Sequence, residues 1–576
     1  RQLTKTEAFE YDARVSPKGH YVSFVRDGAV FVIDLATGEE RQITPDAEPD
    51  KAISYGVAEF VAQEEMSRYT GYWWSPDERH IAFTKVDESP VDVIERFDIA
   101  AEKTTVIDQR YPRAGTANAL VDLFVHDLKS GEDTRLASVG PDTYLARVNW
   151  ISDSLWFQTV NRDQTEIRYN QADGAPWEVT TPMAESQDRW VNLSNDFVGL
   201  EDGILLTTEE NGYRHIAISP DGSDRGELRF LTSGDWAVDS VKTVDSTNGL
   251  VYFTGYRDTP LEQHLYSVPL AGGEPARITE AGKSWTVSMS PDGQSFVGTS
   301  SSPTQPPQTG LYTSEGELIA WIEENALDEG HPYSPYLADH AVPEFGTLKA
   351  EDGQTLYYSI LKPADFDPSK TYPAIVEVYG GPHVQTVDRD WESLSDQYLA
   401  RQGYLVFRLD NRGTWNRGKQ FEDVIHHRTG LHEVSDQMKG VDWLKAQSFV
   451  DAERIGIQGW SYGGYMTLMT LLQAPAGTFA AAVAGAAVAD WSLYDTFYTE
   501  RYMGTPQTNA GGYEASSVFP YLENLSVPLL LLHGMADDNV TFDNATQVMA
   551  KLQELGKPFD LMTYPGQRHG IRGEAL

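Results

Sequence analysis

The fold of this chain is decided by the stretch Arg454-Ile455-Gly456-Ile457-Gln458-Gly459-Trp460-Ser461-Tyr462-Gly463. Its first five residues have the pattern of a buried strand, and residues 465–472, just after it, have a helical pattern. The glycines of Gly-x-Ser-x-Gly allow a sharp turn that leaves the serine exposed at the end of the strand. This strand–turn–helix context predicts a nucleophile elbow with Ser461 as the nucleophile.

The chain around this stretch alternates buried strands with helices. Residues 374–379, 404–409 and 528–533 are nearly continuous apolar runs, typical of parallel strands that are covered on both faces. Between them, Met438, Val441 and Leu444 recur at every third position and predict a helix over 435–447. We therefore expect residues 339–576 to form a doubly wound α/β-hydrolase catalytic domain.

Residues 1–338 have a different texture, with short alternating strands separated by turn residues. Ser-Pro-x turns begin at Ser16, Ser75, Ser219 and Ser290, and each precedes a strand-like run. Degenerate repeats of short antiparallel strands predict an N-terminal β-propeller. The irregular spacing does not give the number of blades, and an irregular array of β-sandwiches remains the alternative.

The composition excludes several classes of partner and site. The chain has 45 Lys and Arg against 86 Asp and Glu, a net charge of −41, which repels nucleic acid and anionic membranes. There is no cysteine, which excludes disulfides, thiolate metal sites and a cysteine nucleophile. The sequence contains no apolar run of about 18 residues, so it predicts no membrane span. The acidic composition without cysteine favours a periplasmic or secreted protein, and the start at Arg1 indicates a trimmed or partial chain.

A serine nucleophile needs a histidine base that a carboxylate orients, and in α/β hydrolases the order along the chain is serine, acid, histidine. Two histidines follow Ser461. His533 ends a buried strand, where a hydrogen-bonded structural histidine is expected. His569 lies in a loop after the last predicted strand, so we predict it as the base. The acid should follow the preceding strand, where Asp537 and Asp538 both fit by spacing.

Longer motifs make the chain similar to the prolyl oligopeptidase family of serine peptidases over nearly its whole length. The matching segments of the second half are 378–382, 410–414, 459–465, 498–504 and 533–540. The resemblance implies Asp537 as the acid, and the hydroxyl of Tyr379 with the main-chain N–H of Tyr462 as the oxyanion hole. One such donor typically contributes about 3–4 kcal/mol to transition-state stabilisation. The resemblance implies neither a metal nor an organic cofactor.

In the first half, the segment Gln63-Glu64-Glu65-Met66-Ser67-Arg68-Tyr69, with Trp73-Trp74-Ser75-Pro76 after it, resembles the double-glutamate segment of the dipeptidyl peptidases in this family. The resemblance implies that Glu64 and Glu65 bind the α-ammonium of a peptide substrate. A buried ammonium costs free energy unless it is paired with negative charge. A fixed distance between the ammonium site and the serine therefore determines how many residues are released. Taken alone, a Glu-Glu pair is also typical of a solvated helix face.

The resemblance implies further binding residues. Asn539 hydrogen-bonds a substrate carbonyl, and Asp495 adds negative charge near the ammonium. The resemblance also implies a small apolar pocket for proline or alanine. From spacing alone, the residues of the pocket wall could equally be ordinary aromatic core residues. Its predicted members are Tyr462, Val488, Trp491, Tyr494, Tyr498 and Val540.

Two parts of the family pattern are absent from this sequence. The propeller of the family supplies an arginine from a segment upstream of the glutamates, which nothing before Tyr55 matches. Relatives also continue beyond the last residue of this chain with a helix that joins a dimer interface. We therefore expect a propeller that is incomplete at its N-terminus, and a homodimer.

These residues together predict a serine exopeptidase that releases Xaa-Pro or Xaa-Ala dipeptides from peptides with a free N-terminus. One alternative is a tripeptidyl peptidase or oligopeptidase of the same family, which pocket depth between the glutamates and Ser461 distinguishes. The other is a binding propeller with an inert hydrolase domain, against which the retention of Ser461, Asp537 and His569 argues.

Overall fold

The computed structural model describes residues 2–139, 142–174, 176–201, 203–222 and 228–573. Within these ranges the first half of the chain forms six antiparallel sheets, one after another. The first sheet contains β1–β4 (Glu10–Val15, Tyr21–Arg26, Ala29–Asp34, Glu40–Gln42). The second contains β5 (Ile53–Tyr55), β6 (Tyr72–Trp74), β7 (His80–Asp87), β10 (Leu120–Asp127) and β11 (Asp133–Val139). The third contains β12–β15 (Thr143–Ile151, Ser154–Asn161, Glu166–Asp173, Glu178–Ser186).

The next three sheets each have four strands in sequence order. They contain β16–β19 (Phe197–Leu200, Gly203–Thr208, His215–Ser219, Arg229–Phe230), β20–β23 (Val238–Asp245, Leu250–Gly255, His264–Pro269, Ala276–Arg277) and β24–β27 (Ser284–Met289, Ser295–Ser302, Gln305–Thr313, Leu318–Glu323). Meanders of this kind are the blades of a β-propeller, which confirms the predicted fold class. A separate hairpin, β8 (Val93–Ile99) and β9 (Thr104–Arg110), and a short helix, α1 (Phe60–Glu64), extend from the second blade.

The recurring Ser-Pro-Asp-Gly phrase forms the turn between neighbouring strands of a blade. In the turn that begins at Ser290, its main-chain N–H donates to the carbonyl of Ser295 at 2.9 Å. The side chain of Asp292 accepts a hydrogen bond from the hydroxyl of Ser290 at 2.6 Å. Gly293 takes the left-handed conformation at φ +70°, which a glycine adopts without strain.

The second half is built on one eight-stranded sheet in the order β28-β29-β31-β30-β32-β33-β34-β35. The pairs β28–β29 and β29–β31 are antiparallel, and all later pairs are parallel. The strands are β28–β31 (Glu344–Lys349, Thr355–Leu361, Tyr372–Glu377, Leu405–Leu409) and β32–β35 (Val450–Trp460, Ala481–Gly485, Leu529–Gly534, Asp560–Tyr564).

Helices cover this sheet and give the predicted α/β-hydrolase domain. They are α2 (Leu394–Arg401), α3 (Lys419–Glu422), α4 (His432–Lys445), α5 (Tyr462–Gln473), α6 (Thr496–Met503), α7 (Ala510–Ser516) and α8 (Asp543–Glu554). The last blade strand ends at Glu323 and β28 begins at Glu344, so the predicted domain boundary after residue 338 lies in the connection between them.

Charge-assisted hydrogen bonds fasten helix α6 to the propeller. Glu500 is buried and accepts two hydrogen bonds from Arg162, at 2.6 Å and 2.7 Å, and one from the main-chain N–H of Gly115 at 2.7 Å. Paired guanidinium–carboxylate contacts of this kind fix geometry as well as contributing free energy. These contacts therefore hold α6 against the propeller. None of the helices in the described ranges has the length and apolar character that a bilayer crossing requires.

Candidate active site

Ser461 lies at the sharp turn between β32 and α5. Its backbone has φ 60° and ψ −121°, a strained conformation for a residue with a side chain. Two close approaches hold it. The N–H of Ser461 donates to the carbonyl of Gly485 at 2.9 Å, and a Cβ on Gly463 would lie 2.2 Å from the carbonyl oxygen of Val378. Only glycine fits there, so the packing of β30 against the elbow fixes the position of the serine.

The structure brings the three predicted triad residues into one line of hydrogen bonds. Nε2 of His569 lies 3.0 Å from Oγ of Ser461, and its Nδ1 lies 2.9 Å from Oδ2 of Asp537. A neutral imidazole that donates from Nδ1 to a carboxylate presents its Nε2 lone pair to the serine hydroxyl. The arrangement can therefore take a proton from Ser461.

The surroundings of Asp537 keep its carboxylate charged. Burial opposes ionisation, but hydrogen bonds from His533 and His569 outweigh it and lower the pKa of Asp537. His533, as expected for a structural histidine, also has its Nε2 within 2.9 Å of the carbonyl of Val540. The alternative acid, Asp538, instead accepts a hydrogen bond from Arg568 at 2.5 Å.

Two hydrogen-bond donors are placed beside the elbow. The N–H of Tyr462 is the first of helix α5 and has no intrahelical acceptor. The ring of Tyr379, two residues after the end of β30, lies 6.1 Å from that of Tyr462, and in the described part of the chain its hydroxyl has no partner. Burial, and then the charge of Glu65, raise the pKa of Tyr379 to about 12, so the hydroxyl keeps its proton at neutral pH.

A group of three carboxylates, Glu64, Glu65 and Asp495, forms where α1 of the propeller meets the start of α6. Glu64 ends α1, Glu65 follows it, and Asp495 is the fully buried N-cap of α6. Asp495 accepts a hydrogen bond from the N–H of Tyr498 at 3.0 Å through Oδ1, while its Oδ2 is buried without a partner among the described residues. None of the three forms an ion pair with Lys or Arg in the described ranges.

Burial and mutual repulsion change the pKa values of these carboxylates. Burial, and then the negative charges of Asp495 and Glu64, raise the pKa of Glu65 well above its usual value, while Arg501 lowers it. Burial also raises the pKa of Asp495 to about 6, against the hydrogen bond from Tyr498 that lowers it. A cation that entered this group would relieve both shifts.

Asn539 joins the carboxylates to the triad loop. Its amide N–H donates to Glu64, and its Oδ1 accepts from the hydroxyl of Tyr494 at 2.9 Å. Asn539 comes two residues after Asp537, and its main-chain N–H donates to that carboxylate at 3.0 Å. The polar side of the cleft therefore runs without a break from the triad acid to the glutamates.

The predicted apolar pocket is a cluster of stacked and edge-on rings next to Ser461. The ring of Trp491 lies 5.5 Å from that of Tyr462, 6.1 Å from that of Tyr494 and 5.9 Å from that of Tyr498. Val488 and Val540 are buried beside them in the same core cluster. The hydroxyl of Tyr462 donates to the buried carboxylate Glu433 at 3.0 Å, which fixes its ring. These contacts form a rigid, mostly apolar wall.

The propeller also grips the loop that carries the triad acid, through residues that the sequence did not indicate. From hairpin β8–β9, Arg96 donates to the carbonyl of Ala536 at 2.9 Å and Gln109 donates to that of Asp538 at 3.2 Å. Tyr111 donates to the carbonyl of Asn539 at 3.1 Å. These contacts join residues more than 400 positions apart, and no local sequence pattern marks them. The described residues contain no cluster of three metal-ligating side chains.

Two protein families match the two halves of the chain. The family described as dipeptidyl peptidase IV (DPP IV) N-terminal region matches residues 1–307, and the prolyl oligopeptidase family matches residues 391–575. Among similar proteins, dipeptidyl peptidase 8 of Homo sapiens is 32% identical over 649 aligned positions, covering 96% of this chain and 72% of the relative. A probable dipeptidyl-aminopeptidase B of Aspergillus clavatus is 33% identical, covering 96% of this chain and 64% of the relative.

Solved structures agree with both matches. Dipeptidyl peptidase 4 of Porphyromonas gingivalis superposes with a TM-score of 0.93 at 29% identity, over 99% of this chain and 81% of that chain. A putative dipeptidyl aminopeptidase IV of Bacteroides ovatus gives a TM-score of 0.89 at 29% identity, over 99% and 82%. With the elbow, the aligned triad and a propeller that carries two glutamates, the chain belongs to the prolyl oligopeptidase family of serine peptidases, in its dipeptidyl peptidase IV-like branch.

Proposed function

We propose that this chain releases dipeptides from peptides with a free N-terminus, with proline or alanine preferred as the second residue. The observation that carries the proposal is the group of carboxylates formed by Glu64, Glu65 and Asp495, none of which forms an ion pair with Lys or Arg among the described residues. Buried carboxylates without a partner cost free energy, and an α-ammonium is a cation that a blocked or internal peptide segment lacks. The names of the relatives support the same activity.

Chemistry at the scissile bond follows from the aligned triad. His569 takes the proton of Ser461 as the serine oxygen attacks the carbonyl carbon, and Asp537 stabilises the imidazolium that forms. The N–H of Tyr462 and the hydroxyl of Tyr379 donate to the oxyanion. His569 then protonates the leaving amine, which departs as the shortened peptide. Water hydrolyses the acyl-enzyme by the same proton transfers in reverse and frees the dipeptide.

Two binding points for the substrate set the length of the product. The ammonium is held at the glutamates of the propeller, and the second residue packs against the apolar wall around Trp491 next to Ser461. A proline ring suits a rigid apolar pocket because it loses no side-chain rotamer freedom on binding, and alanine loses none either. Asn539 supports this role from the side, where its amide is placed to reach a carbonyl of the bound dipeptide.

Replacing the aligned acid should separate the two neighbouring aspartates. Asp537→Asn removes the charge that orients His569 and stabilises its imidazolium, so kcat should fall on the order of 10⁴-fold, as in other serine peptidases. Asp538→Asn is the matched control, because that carboxylate faces Arg568 and should leave kcat close to the wild-type value. Steady-state hydrolysis of Gly-Pro-p-nitroanilide measures both. Equal losses in the two variants would contradict the assignment.

Blocking the amine of the substrate tests the proposed function itself. Acetylation of Gly-Pro-p-nitroanilide removes the cation and places an uncharged amide at the carboxylates, so kcat/KM should fall by at least about a hundredfold. Glu64→Gln with Glu65→Gln should reduce cleavage of the free-amine substrate similarly and narrow the difference between the two substrates. Glu39→Gln, on an exposed strand connection of the first blade, is the control. Equal rates on both substrates would contradict the exopeptidase proposal but would still be consistent with a serine hydrolase.

We also propose that the protein is a homodimer that pairs through hairpin β8–β9 and the neighbouring sheet edge β35. The two elements are joined, since the N–H of Gly566 donates to the carbonyl of Ile99 at 2.7 Å. They expose apolar side chains of the kind that interfaces cover. These side chains are Val93, Phe97, Val106, Leu561 and Met562.

Light scattering after size exclusion tests the dimer. Phe97 and Val106 face each other across the hairpin and are 49% and 54% exposed, so Phe97→Glu with Val106→Glu should convert a dimer to monomers. A monomeric wild type, or a variant dimer of unchanged stability, would refute the pairing. A periplasmic or secreted location remains a proposal that rests only on the acidic composition without cysteine, and cell fractionation tests it.

A further inference from the structure

Three arginines, Arg68, Arg147 and Arg501, lie close enough for the charges of Arg68 and Arg501 to act on Arg147, and they differ in how their own charge is balanced. Arg68 forms a buried ion pair with Glu59 at 2.6 Å. Arg501 binds neutral partners, with Nε donating to Gln164 at 2.6 Å and Nη1 lying 3.2 Å from Nε2 of His383. Within the described ranges Arg147 has a single hydrogen bond, from Nη1 to the carbonyl of Ala146 at 2.8 Å.

Among the described residues, Arg147 is therefore a cation without an anionic partner. Its Nε is buried and has no acceptor among the described residues, while the side chain as a whole is half-buried and reaches solvent. Guanidinium groups in such positions normally bind a carboxylate in a forked geometry, because five N–H donors are otherwise unmet. The remaining donors of Arg147 are available to a ligand.

The backbone of strand β12 is irregular directly before Arg147. Leu145 pairs with Thr159 and Arg147 with the next residue, Gln158, so Ala146 is the extra residue of a β-bulge. Bulges change the direction in which nearby side chains point and are common beside active sites. Ala146 is buried in the same cluster as Val61 and Ala62 of α1.

Strand β12 also abuts the helix that carries Asp495. Tyr144 packs edge-on against Phe497 at 4.9 Å between ring centres, and the guanidinium of Arg501 lies 4.7 Å from the centre of the same ring. Arg147 thus emerges where the propeller meets both α1, with Glu64 and Glu65, and α6. Burial lowers the pKa of Arg147 to about 10, and the positive charges of Arg68 and Arg501 add to the shift, so it stays charged at neutral pH.

The geometry of a dipeptide places its first side chain in this region. The α-ammonium and the first side chain leave from the same carbon atom, so an amine held by Glu64 and Glu65 brings the first side chain within a few bonds of them. Against these carboxylates alone, an acidic first side chain would be repelled. A guanidinium at the same place reverses that preference, because it binds a carboxylate through two hydrogen bonds.

We propose that Arg147 is a specificity-determining residue that selects peptides whose first residue is aspartate or glutamate. The proposal rests on the proposed dipeptide release and adds to it a substrate class, peptides with an acidic N-terminal residue. It assigns Arg147 a role at the substrate side chain, separate from the amine site and from the scissile bond.

The test compares Asp-Pro-p-nitroanilide with its isosteric partner Asn-Pro-p-nitroanilide, with Gly-Pro-p-nitroanilide as the reporter of basic activity. Wild-type enzyme should cleave the Asp substrate with the higher kcat/KM. Arg147→Met keeps an unbranched stem of about the length from Cβ to Nε and removes the guanidinium charge, so the Asp/Asn ratio should fall by about tenfold or more and drop below one. Arg147→Lys keeps the charge without the fork and should give an intermediate ratio.

Arg135→Met is the matched control, since this arginine is 52% exposed on the neighbouring blade and pairs with Asp122. Its Asp/Asn ratio should equal that of wild type, and melting curves confirm that each variant is folded. An unchanged ratio in Arg147→Met overturns the proposal, and so does an equal loss on all three substrates, which would mean a contact to the shared backbone. Failure of wild type on Gly-Pro-p-nitroanilide would instead refute the dipeptidyl activity itself.

Discussion

Buried negative charge without an ion-pair partner in the described part of the chain is the constraint on which the rest of this site depends. Glu65 and Asp495 are held together at the domain interface, where burial raises the pKa of each. Such an arrangement costs folding free energy, because like charges repel and neither carboxylate has an ion-pair partner in the described ranges. An ammonium group restores the balance and favours the ionised form of both. The fold thus keeps an unmet electrostatic demand that a free N-terminus meets and an acylated one does not.

The interface converts that demand into a measure of length. The carboxylates are supplied largely by the propeller, while Ser461 stands on the hydrolase sheet. The ion pair of Arg162 with Glu500 and the grip of hairpin β8–β9 on the loop of Asp537 fix the two domains relative to each other. Product length is therefore a property of how the domains pack, and the triad alone would not set it. The role proposed for Arg147 at the first residue of a substrate depends on the same packing.

Local chemistry made much of the site predictable. The glycines around Ser461 have one steric purpose, and the order of serine, acid and histidine left His569 as the base. Spacing could not separate Asp537 from Asp538, because adjacent loop residues point in different directions that only tertiary contacts decide. The partner-free Oδ2 of Asp495 and the bulge before Arg147 could not be predicted from the sequence for the same reason. A bulge, or a contact with a residue hundreds of positions away, leaves no local signal. The number of blades required the strand pairings themselves.

The most direct test of the account is the length of the first product. A decapeptide with a free N-terminus and proline at position two can be digested briefly and the fragments weighed by mass spectrometry. Because the amine is held two residues from Ser461, the account predicts the N-terminal dipeptide and the matching octapeptide as the only early products. A tripeptide, or fragments cut within the chain, would show that the carboxylate group does not set the register of cleavage.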